Sequence, residues 1–386
     1  MTRQLDCTLS PELLELIASQ GLDALPEVLR IMINHAMQAE RQQHLQAAPY
    51  ERSETRTGYA NGYKPKTVTT RVGQITFDVP QVRDSSFYPQ ALEKGLRSER
   101  AFTLALAEMY VRGVSTRKVA AITEQLCGVE LSSTQVSRAA AQLDTVLEGW
   151  RTRELGRCRY LYLDARYEKV RVDGQVRDVA VLIALGVTDA GKRTILGVSV
   201  SLSEQEVHWR QLLQSLVERG LSGLELVISD AHAGLQAARK AVFGGVPWQR
   251  CQFHLQQNAS AFVPRQDLKA EVAEDIRTIF NAPNRDEANA ALARTVQKYA
   301  KRSATLAAWL EANIPEGLTI FAFPSNHQRL LRTTNGLERL NQEIRRRTRV
   351  VGVFPNEASC LRLVSALAME TSEEWETGKA YLPLIV

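Results

Sequence analysis

The chain has 386 residues, 44% of them apolar and 24% charged, with a net charge of +5. That length suits two or three domains, and that balance is ordinary for a globular protein rather than a disordered or fibrous one. Its five cysteines, at 7, 127, 158, 251 and 360, are odd in number and widely spaced, which argues against a disulfide framework and for a reducing cytoplasm.

The opening MTRQLDCTLSPELLELI lacks the basic-then-apolar order of a signal peptide. No apolar run approaches the ~20 residues needed to cross a bilayer, so no membrane association is expected. Residues 11–48 predict two helices, the first with a Ser-Pro start and a Gly stop. From Pro49 the chain turns polar, aromatic and turn-rich, with Asn61-Gly62 inside. KTVTTRVGQITFDVPQV then alternates around Gly73-Gln74, the pattern of a short hairpin. Tyr59, Tyr63, Lys64 and Lys66 are suited to base stacking and phosphate contact, although the aromatics serve equally well to pin the loop to the fold.

Residues 98–150 read as helical again. One helix stops at Gly113, a second runs from a Ser cap to Gly128, and a third follows another Ser cap at SSTQVSRAAAQL. The second and third, joined by Gly128-Val129-Glu130-Leu131, fit a helix-turn-helix. Its second helix offers Ser133, Thr134, Gln135 and Arg138, residue types that read base edges and grip phosphate. Any helical hairpin gives the same pattern.

At residue 157 the periodicity changes to that of strands. RCRYLYLDARYEKVRV, DVAVLIALGVT and KRTILGVSVS, turned at Asp173-Gly174 and at Asp189-Ala190-Gly191, predict three strands in an antiparallel meander. SEQEVHWRQLLQSLVERG predicts a helix with Trp209, Leu212, Leu213 and Leu216 on one face. LELVISD predicts a buried strand, AHAGLQAARKAVFGG a helix, and VPWQRCQFHL a further strand. Residues 259–325 are largely helical, and a basic helix follows them. Glu168, Asp173, Asp178 and Asp189 fall in strands or hairpin turns and read as structural.

Two carboxylates stand out by position. Tyr160, Tyr162 and Asp164 share one face of the first strand, because side chains alternate. Asp230 sits at the carboxyl end of the fourth strand, where functional groups gather in open α/β sheets. If those strands are neighbours, Asp164 and Asp230 face each other at roughly 5 Å, and a divalent cation is the usual relief for such repulsion. A turn or helix-cap role is the rival reading, since Asp230 precedes a helix. In RTTNGLERLNQEIRRRTRVVG, Leu337, Leu340 and Ile344 form an apolar stripe. Asn335, Glu338, Gln342, Arg345 and Arg349 share a polar face beside it. Arg339, Arg345, Arg346, Arg347 and Arg349 place five positive charges in eleven residues, a pattern that suits a polyanion or simply a solvated face.

The chain resembles the Mutator-type transposases of bacterial insertion sequences along nearly its whole length. The resemblance runs through APYERSETRTGYANGYKPK, VPQVRDSSFYPQALE, LAEMYVRGVSTRKV, YLYLDARYEKVRVDG, VISDAHAGL, WQRCQFH and FPSNHQRLLRTTNGLERLNQEIRRRTRVVGVFPN. Its most specific piece is Asp230, then Gly234-Leu235, then Cys251-x-x-His254. Gly244 stands where such proteins often carry Pro or Thr, a small departure in a turn.

The resemblance implies a ribonuclease H-like mixed α/β core, a DDE-class recombinase, and Asp164, Asp230 and Glu338 as its catalytic, metal-binding triad. It implies two Mg²⁺ (or Mn²⁺) ions, double-stranded DNA as partner (terminal inverted repeats and target), and a homodimer or higher oligomer on that DNA. The organisation expected is a helical and β-hairpin DNA-binding region over 1–95 and a helix-turn-helix region over 96–152. A catalytic core over 153–256 and 326–386 would then be split by a helical insertion over 257–325. A cytoplasmic, nucleoid-associated protein is expected.

Cys251 and His254 have the spacing of half a zinc site, but no second Cys/His pair follows at a fitting distance. The favoured reading packs Cys251 in the strand and lets His254 orient active-site groups or DNA. His232 is a candidate for the same supporting role or a plain helix-start histidine. Asn335 and Gln342 would hydrogen-bond along the glutamate's face, and Arg345, Arg346, Arg347 and Arg349 would grip DNA. A DNA-binding repressor without catalysis and a nuclease without strand transfer are the competing functions. No glycine-rich phosphate loop is present to imply nucleotide hydrolysis.

Overall fold

A computed structural model describes residues 11–51, 54–83, 87–92, 94, 98, 100–111, 116–127 and 129–382. Ser10, Gly113, Ser115 and Gly128, read above as helix boundaries, lie outside the described residues. The chain divides into two compact units, Met1–Gln142 and Leu143–Val386.

In the first unit, helices α1 (Pro11–Gln20) and α2 (Leu25–Leu45) precede a two-stranded antiparallel hairpin of β1 (Ala60–Thr70) and β2 (Gly73–Val82). The hairpin turns at Gly73, whose φ of 109° suits glycine. Val68, Ile75, Phe77 and Val79 bury one face of the hairpin with Met37 of α2. Helices α3 (Arg100–Val111), α4 (Thr116–Cys127) and α5 (Ser133–Ala141) follow. They share a small core of Phe102, Leu106, Val119, Val136 and Ala139. Ser132 starts α5 through a capping box with Gln135.

The second unit opens with α6 (Asp144–Thr152). The sequence pattern places this segment with the N-terminal helices, ending a region at 152. Here Asp144 instead accepts paired hydrogen bonds of 2.7 Å from Arg362, and Arg151 Nη1 donates to Ser365 Oγ at 2.9 Å. These contacts tie α6 to the second unit.

Strands β3 (Cys158–Val172), β4 (Gln175–Thr188) and β5 (Arg193–Ser201) form the expected antiparallel meander. Asp173 and Gly174 both take positive φ at its first turn, as a tight hairpin requires. Helix α7 (Glu206–Glu218), strand β6 (Leu226–Ser229), helix α8 (Ala233–Phe243) and strand β7 (Trp248–Arg250) follow. The sheet order is β5-β4-β3-β6-β7, with β6 parallel to β3 and β7 parallel to β6. This is a mixed α/β architecture. The long apolar run of β4 is explained by burial on both faces.

Alternation sorts the sheet's side chains. Leu161, Leu163, Leu182 and Ala184 pack with Trp209, Leu212, Leu213 and Leu216 of α7 and Leu235 of α8. Tyr160, Tyr162, Val181 and Ile183 pack on the opposite side with α14 (Asn335–Val351) and α15 (Glu357–Thr377). Between them in the chain lie α9 (Gln252–Ala259), α10 (Lys269–Phe280), α11 (Arg285–Ala300), α12 (Ala304–Asn313) and α13 (Ser325–Leu331). Elements α9 to α12 have their own core, including Leu255, Ile276, Phe280, Leu306 and Leu310.

The last strand is shorter than WQRCQFHL predicts. It ends at Arg250, and Cys251 is the N-cap of α9 rather than a strand residue. Alternation alone cannot separate so short a strand from the first turn of a helix. What decides here is Leu255 and Ala259, four residues apart and both fully buried in the helical core.

Gly234 explains one close approach. A Cβ there would lie 2.2 Å from the Glu204 carbonyl oxygen and 2.8 Å from the Glu206 amide nitrogen. Gly234→Ala is therefore expected to destabilise the chain by roughly 1–3 kcal/mol through overpacking. Chemical denaturation would measure it; an unchanged midpoint would show that the 204–206 segment yields freely.

Candidate functional site: two carboxylates of the central sheet and helix α14

Asp164 lies in the middle of β3, on the sheet face that α14 covers. The β3–β6 ladder pairs Tyr162 with Ile228. Asp164 follows Tyr162 by two residues within β3, and Asp230 lies just past the end of β6, near enough that its charge is felt at the Asp164 carboxyl. Asp164 is held by Asn341 of α14, whose Nδ2 donates to Oδ2 at 2.8 Å. Desolvation pushes its carboxyl up to about 6; the charge of Asp230 adds to the rise, while His254 and Asn341 oppose it. Asp230 is half-buried, and its Oδ1 accepts the His232 backbone N–H at 3.2 Å. The N-cap of α8 is His232, so Asp230 supports the helix start from two residues upstream without being its cap.

Cys251 and His254 bind this region together. His254 is raised to about 9, first by its hydrogen bond with the Cys251 thiol and further by the charges of Asp164 and Asp230, against the effect of burial. Burial pushes the Cys251 thiol up, but hydrogen bonds from His254 and Thr334 outweigh it and leave the thiol below its ordinary value. Cys251 Sγ accepts the Thr334 N–H at 3.4 Å, and Gln252 N–H donates to Arg332 O at 2.9 Å. Thr334 is the N-cap of α14. The Cys-x-x-His pair thus anchors the start of α14 with one residue and faces the carboxylates with the other.

Glu338 stands in the first turn of α14, exposed, three residues before Asn341. Among the described residues, no group of three or more His, Cys, Asp or Glu side chains is close enough to hold a metal ion. The donor chemistry nonetheless fits a hard divalent cation. Two carboxylates interact through their charges, one is desolvated with its ionised form disfavoured, and a third lies within a helical turn of the Asp164 partner.

Three supporting residues carry no signal of their role in the sequence. Asn341 is the first. Arg166 is the second: its Nε donates to Glu168 at 2.8 Å and its Nη1 to the Asn341 carbonyl, clamping α14 onto β3. Glu168 is structural, as its place in a strand predicts, and its role is now specific. Glu204 is the third, with only 10% of its side chain exposed and its carboxylate 3.7 Å from His232 Nδ1. Burial, with the nearby Asp230 charge, raises its carboxyl, while His232 and Tyr167 oppose the rise. Alternation marks the face that Arg166 and Glu168 share; nothing in the sequence marks Glu204, whose place depends on Gly234 admitting its backbone.

The family model for "Transposase, Mutator family" matches residues 2–378. This chain belongs to the Mutator family of transposases. It is 58% identical over 368 residues to the transposase for insertion sequence element IS406 of Burkholderia multivorans, covering 95% of each chain. It is 45% identical over 361 residues to that of ISRM5 of Rhizobium meliloti, covering 93% of this chain and 90% of that one. It is 37% identical over 382 residues to that of IS256 in transposon Tn4001 of Staphylococcus aureus, with 96% of each covered.

The basic residues of this transposase fall into exposed and buried or paired groups. Arg345 and Arg349 are exposed on the Glu338 face of α14, with Asn335 and Gln342. Arg346 is exposed and paired with Glu343 at 2.8 Å. Arg347, grouped above with the DNA-gripping arginines, is only 7% exposed and lies on the buried side with Leu340, Ile344 and Thr348. It follows Ile344 by three residues, so the helical period carries it into the buried stripe.

In the first unit, Ser133, Thr134 and Arg138 are exposed along α5, opposite buried Val136, Ala139 and Ala140. The Gln135 side chain instead accepts the Ser132 N–H at 2.7 Å, which commits it to the capping box. Lys64 is exposed, whereas Lys66 Nζ donates to Tyr88 Oη at 2.8 Å and lies against its ring. Tyr63 is stacked under Arg41. Among the described residues no helix is long and apolar enough to cross a membrane.

Proposed function

We propose that this transposase cleaves DNA at the ends of its element and joins the freed 3′-OH to target DNA, using Asp164, Asp230 and Glu338 on a ribonuclease H-like core. The observation that carries the reading is the pair Asp164, on β3 and held by Asn341 of α14, and Asp230, just past the end of the neighbouring parallel strand β6, whose charge acts on it. Two Mg²⁺ or Mn²⁺ ions, bound by these three carboxylates, would lower the barrier to oxygen attack at phosphorus and to departure of the leaving oxygen.

The chain's own residues do the rest. Asn341 fixes the orientation of Asp164 by its amide hydrogen bond. His254, cationic at neutral pH, offsets part of the negative charge that Asp164 and Asp230 concentrate. Cys251 holds the start of α14, and hence the approach of Glu338, to the end of β7. Arg345 and Arg349 extend the Glu338 face with positive charge for the flanking phosphates. The exposed residues of α5 and Lys64 are the proposed contacts to the terminal inverted repeats. Pairing of two ends calls for at least a homodimer on DNA.

The test incubates the purified chain with a labelled end duplex, a target plasmid and Mg²⁺. Strand-transfer products are expected, and Asp230→Asn should remove them. Binding without Mg²⁺-dependent cutting would make the chain a DNA-binding repressor, and cutting without joining a simple nuclease.

A further inference from the structure

A cavity of about 350 Å³ opens between α9 and α10. Its size falls in the usual range of small-ligand sites, roughly 300–1,000 Å³. One wall is a single face of α9 and its C-cap, made by Phe253, Gln256, Gln257 and Ser260 at the i, i+3, i+4, i+7 spacing. The opposite wall repeats that spacing on α10. There Val272 and Ile276 are buried and apolar, while Lys269 brings an amine to the edge.

The wall residues are unusual for a helix packed in a core. Phe253 is 55% exposed, although the core of this helical region already buries Leu255 and Ala259 from the same helix. Its ring is therefore not spent on folding. It meets the His254 ring edge-on, with centroids 5.5 Å apart at 64°. His254 in turn feels the charges of Asp164 and Asp230. An exposed aromatic face, two primary amides, an apolar floor and an amine thus stand one residue away from the group that faces the carboxylates.

We infer that this cavity receives one unstacked nucleobase of the DNA end beside the scissile phosphate, stacked on Phe253. The inference rests on the cleavage reading above and adds to it a base-binding site in the helical region. The chemistry matches in each part. A base offers a flat π-face to an aromatic ring, and stacking of this kind accepts any base. Gln256 and Gln257 each carry a donor and an acceptor for its edge, and Lys269 provides a cation for the attached phosphate. Extruding a base from a duplex costs a few kcal/mol, least at a mismatch. Phe253 is therefore a positioning residue, keeping the opened end at the carboxylates.

The experiment uses the full chain carrying Asp230→Asn and an end duplex with 2-aminopurine placed in turn at each base flanking the cleavage site. One position is expected to brighten several-fold on binding, as an unstacked base does. Phe253→Ala, which removes the stacking face, and Ala273→Trp, which fills the cavity, should each return that position to the level of its neighbours. Phe253→Tyr should preserve the signal.

In the cleavage-competent chain, Phe253→Ala should slow cutting by roughly 5- to 150-fold, the range of one base–aromatic stack. A mismatch at the brightened position should restore most of the rate, a rescue that a merely structural defect would not show. No brightening at any position, or brightening that survives both Phe253→Ala and Ala273→Trp, overturns the inference. Failure of the carboxylate reading would appear separately, as cutting by the Asp230→Asn chain, because the fluorescence comparison needs no cleavage.

Discussion

Glu338→Gln should leave the affinity for the end duplex and the thermal midpoint unchanged, and lower Mg²⁺-dependent cleavage by about a thousandfold or more. The first half follows from exposure. Glu338 projects from the first turn of α14, and such surface changes usually stay within about ±0.5 kcal/mol. The second half follows from chemistry. Gln is the same size but a far weaker ligand for a hard cation, and metal stabilisation of a phosphoryl transition state is worth several kcal/mol.

The structure supplies a competitor for the third carboxylate. Glu204 is nearly buried and close enough to Asp230 to be perturbed by it. Glu204→Gln is therefore the parallel arm, measured with gel-resolved cleavage products and the same duplex. If Glu338→Gln cuts within tenfold of the parent chain while Glu204→Gln does not, the third ligand is Glu204. Adding Mg²⁺ to the parent should also raise its thermal midpoint by mass action, and this rise should shrink in Asp230→Asn.

Much of this site is legible in the sequence because it depends on short-range periodicity. Two-residue alternation puts Asp164 on the face of Tyr160 and Tyr162, and the helical period puts Glu338, Gln342, Arg345 and Arg349 on one exposed side. The meander and the position of Asp230 after β6 follow from the same patterns. What stays hidden depends on long-range packing. Asn341 reaches Asp164 across 177 residues of chain, and no local pattern distinguishes it from Asn335 or Gln342. Arg347 falls between Ile344 and Val351 of the α14 stripe, and its charge hides from the sequence that the fold buries it with them. Cys251 fits a strand by pattern because its burial is the same there as at a helix N-cap. Gln135 has the chemistry of a base contact, although the Ser132–Gln135 spacing is also that of a capping box.

Asp164→Asn should abolish cleavage and yet stabilise the metal-free protein at pH 7, by about 2–3 kcal/mol. Desolvation has raised this carboxyl from 3.8 to about 6, and every tenfold gain in proton affinity corresponds to about 1.4 kcal/mol. The sign follows from linkage. The folded chain holds the Asp164 proton more tightly than the unfolded chain, so the ionised form is the destabilising one. The penalty is absent below the unfolded value of 3.8, grows as pH rises from there, and is complete above about 6.

His254 titrates in a different window. Its raised pKa contributes stability that is full below 6.5 and lost as pH rises through about 9. The interval from 3.8 to about 6 therefore separates Asp164 from His254. Urea titrations of the parent and Asp164→Asn, in chelator, should coincide at the acid end of that interval and diverge towards neutral pH with the variant more stable. Equal midpoints at neutral pH would mean that Asp164 is effectively solvated. A less stable variant would mean that its ionised form is held by partners stronger than Asn341 and His254. Excess Mg²⁺ should narrow the gap from the parent's side, because a cation at Asp164 removes the penalty that Asn avoids. The strain is thus tied to function: the chain keeps a poorly solvated carboxylate under α14, and the variant that relieves it gives up the ligand.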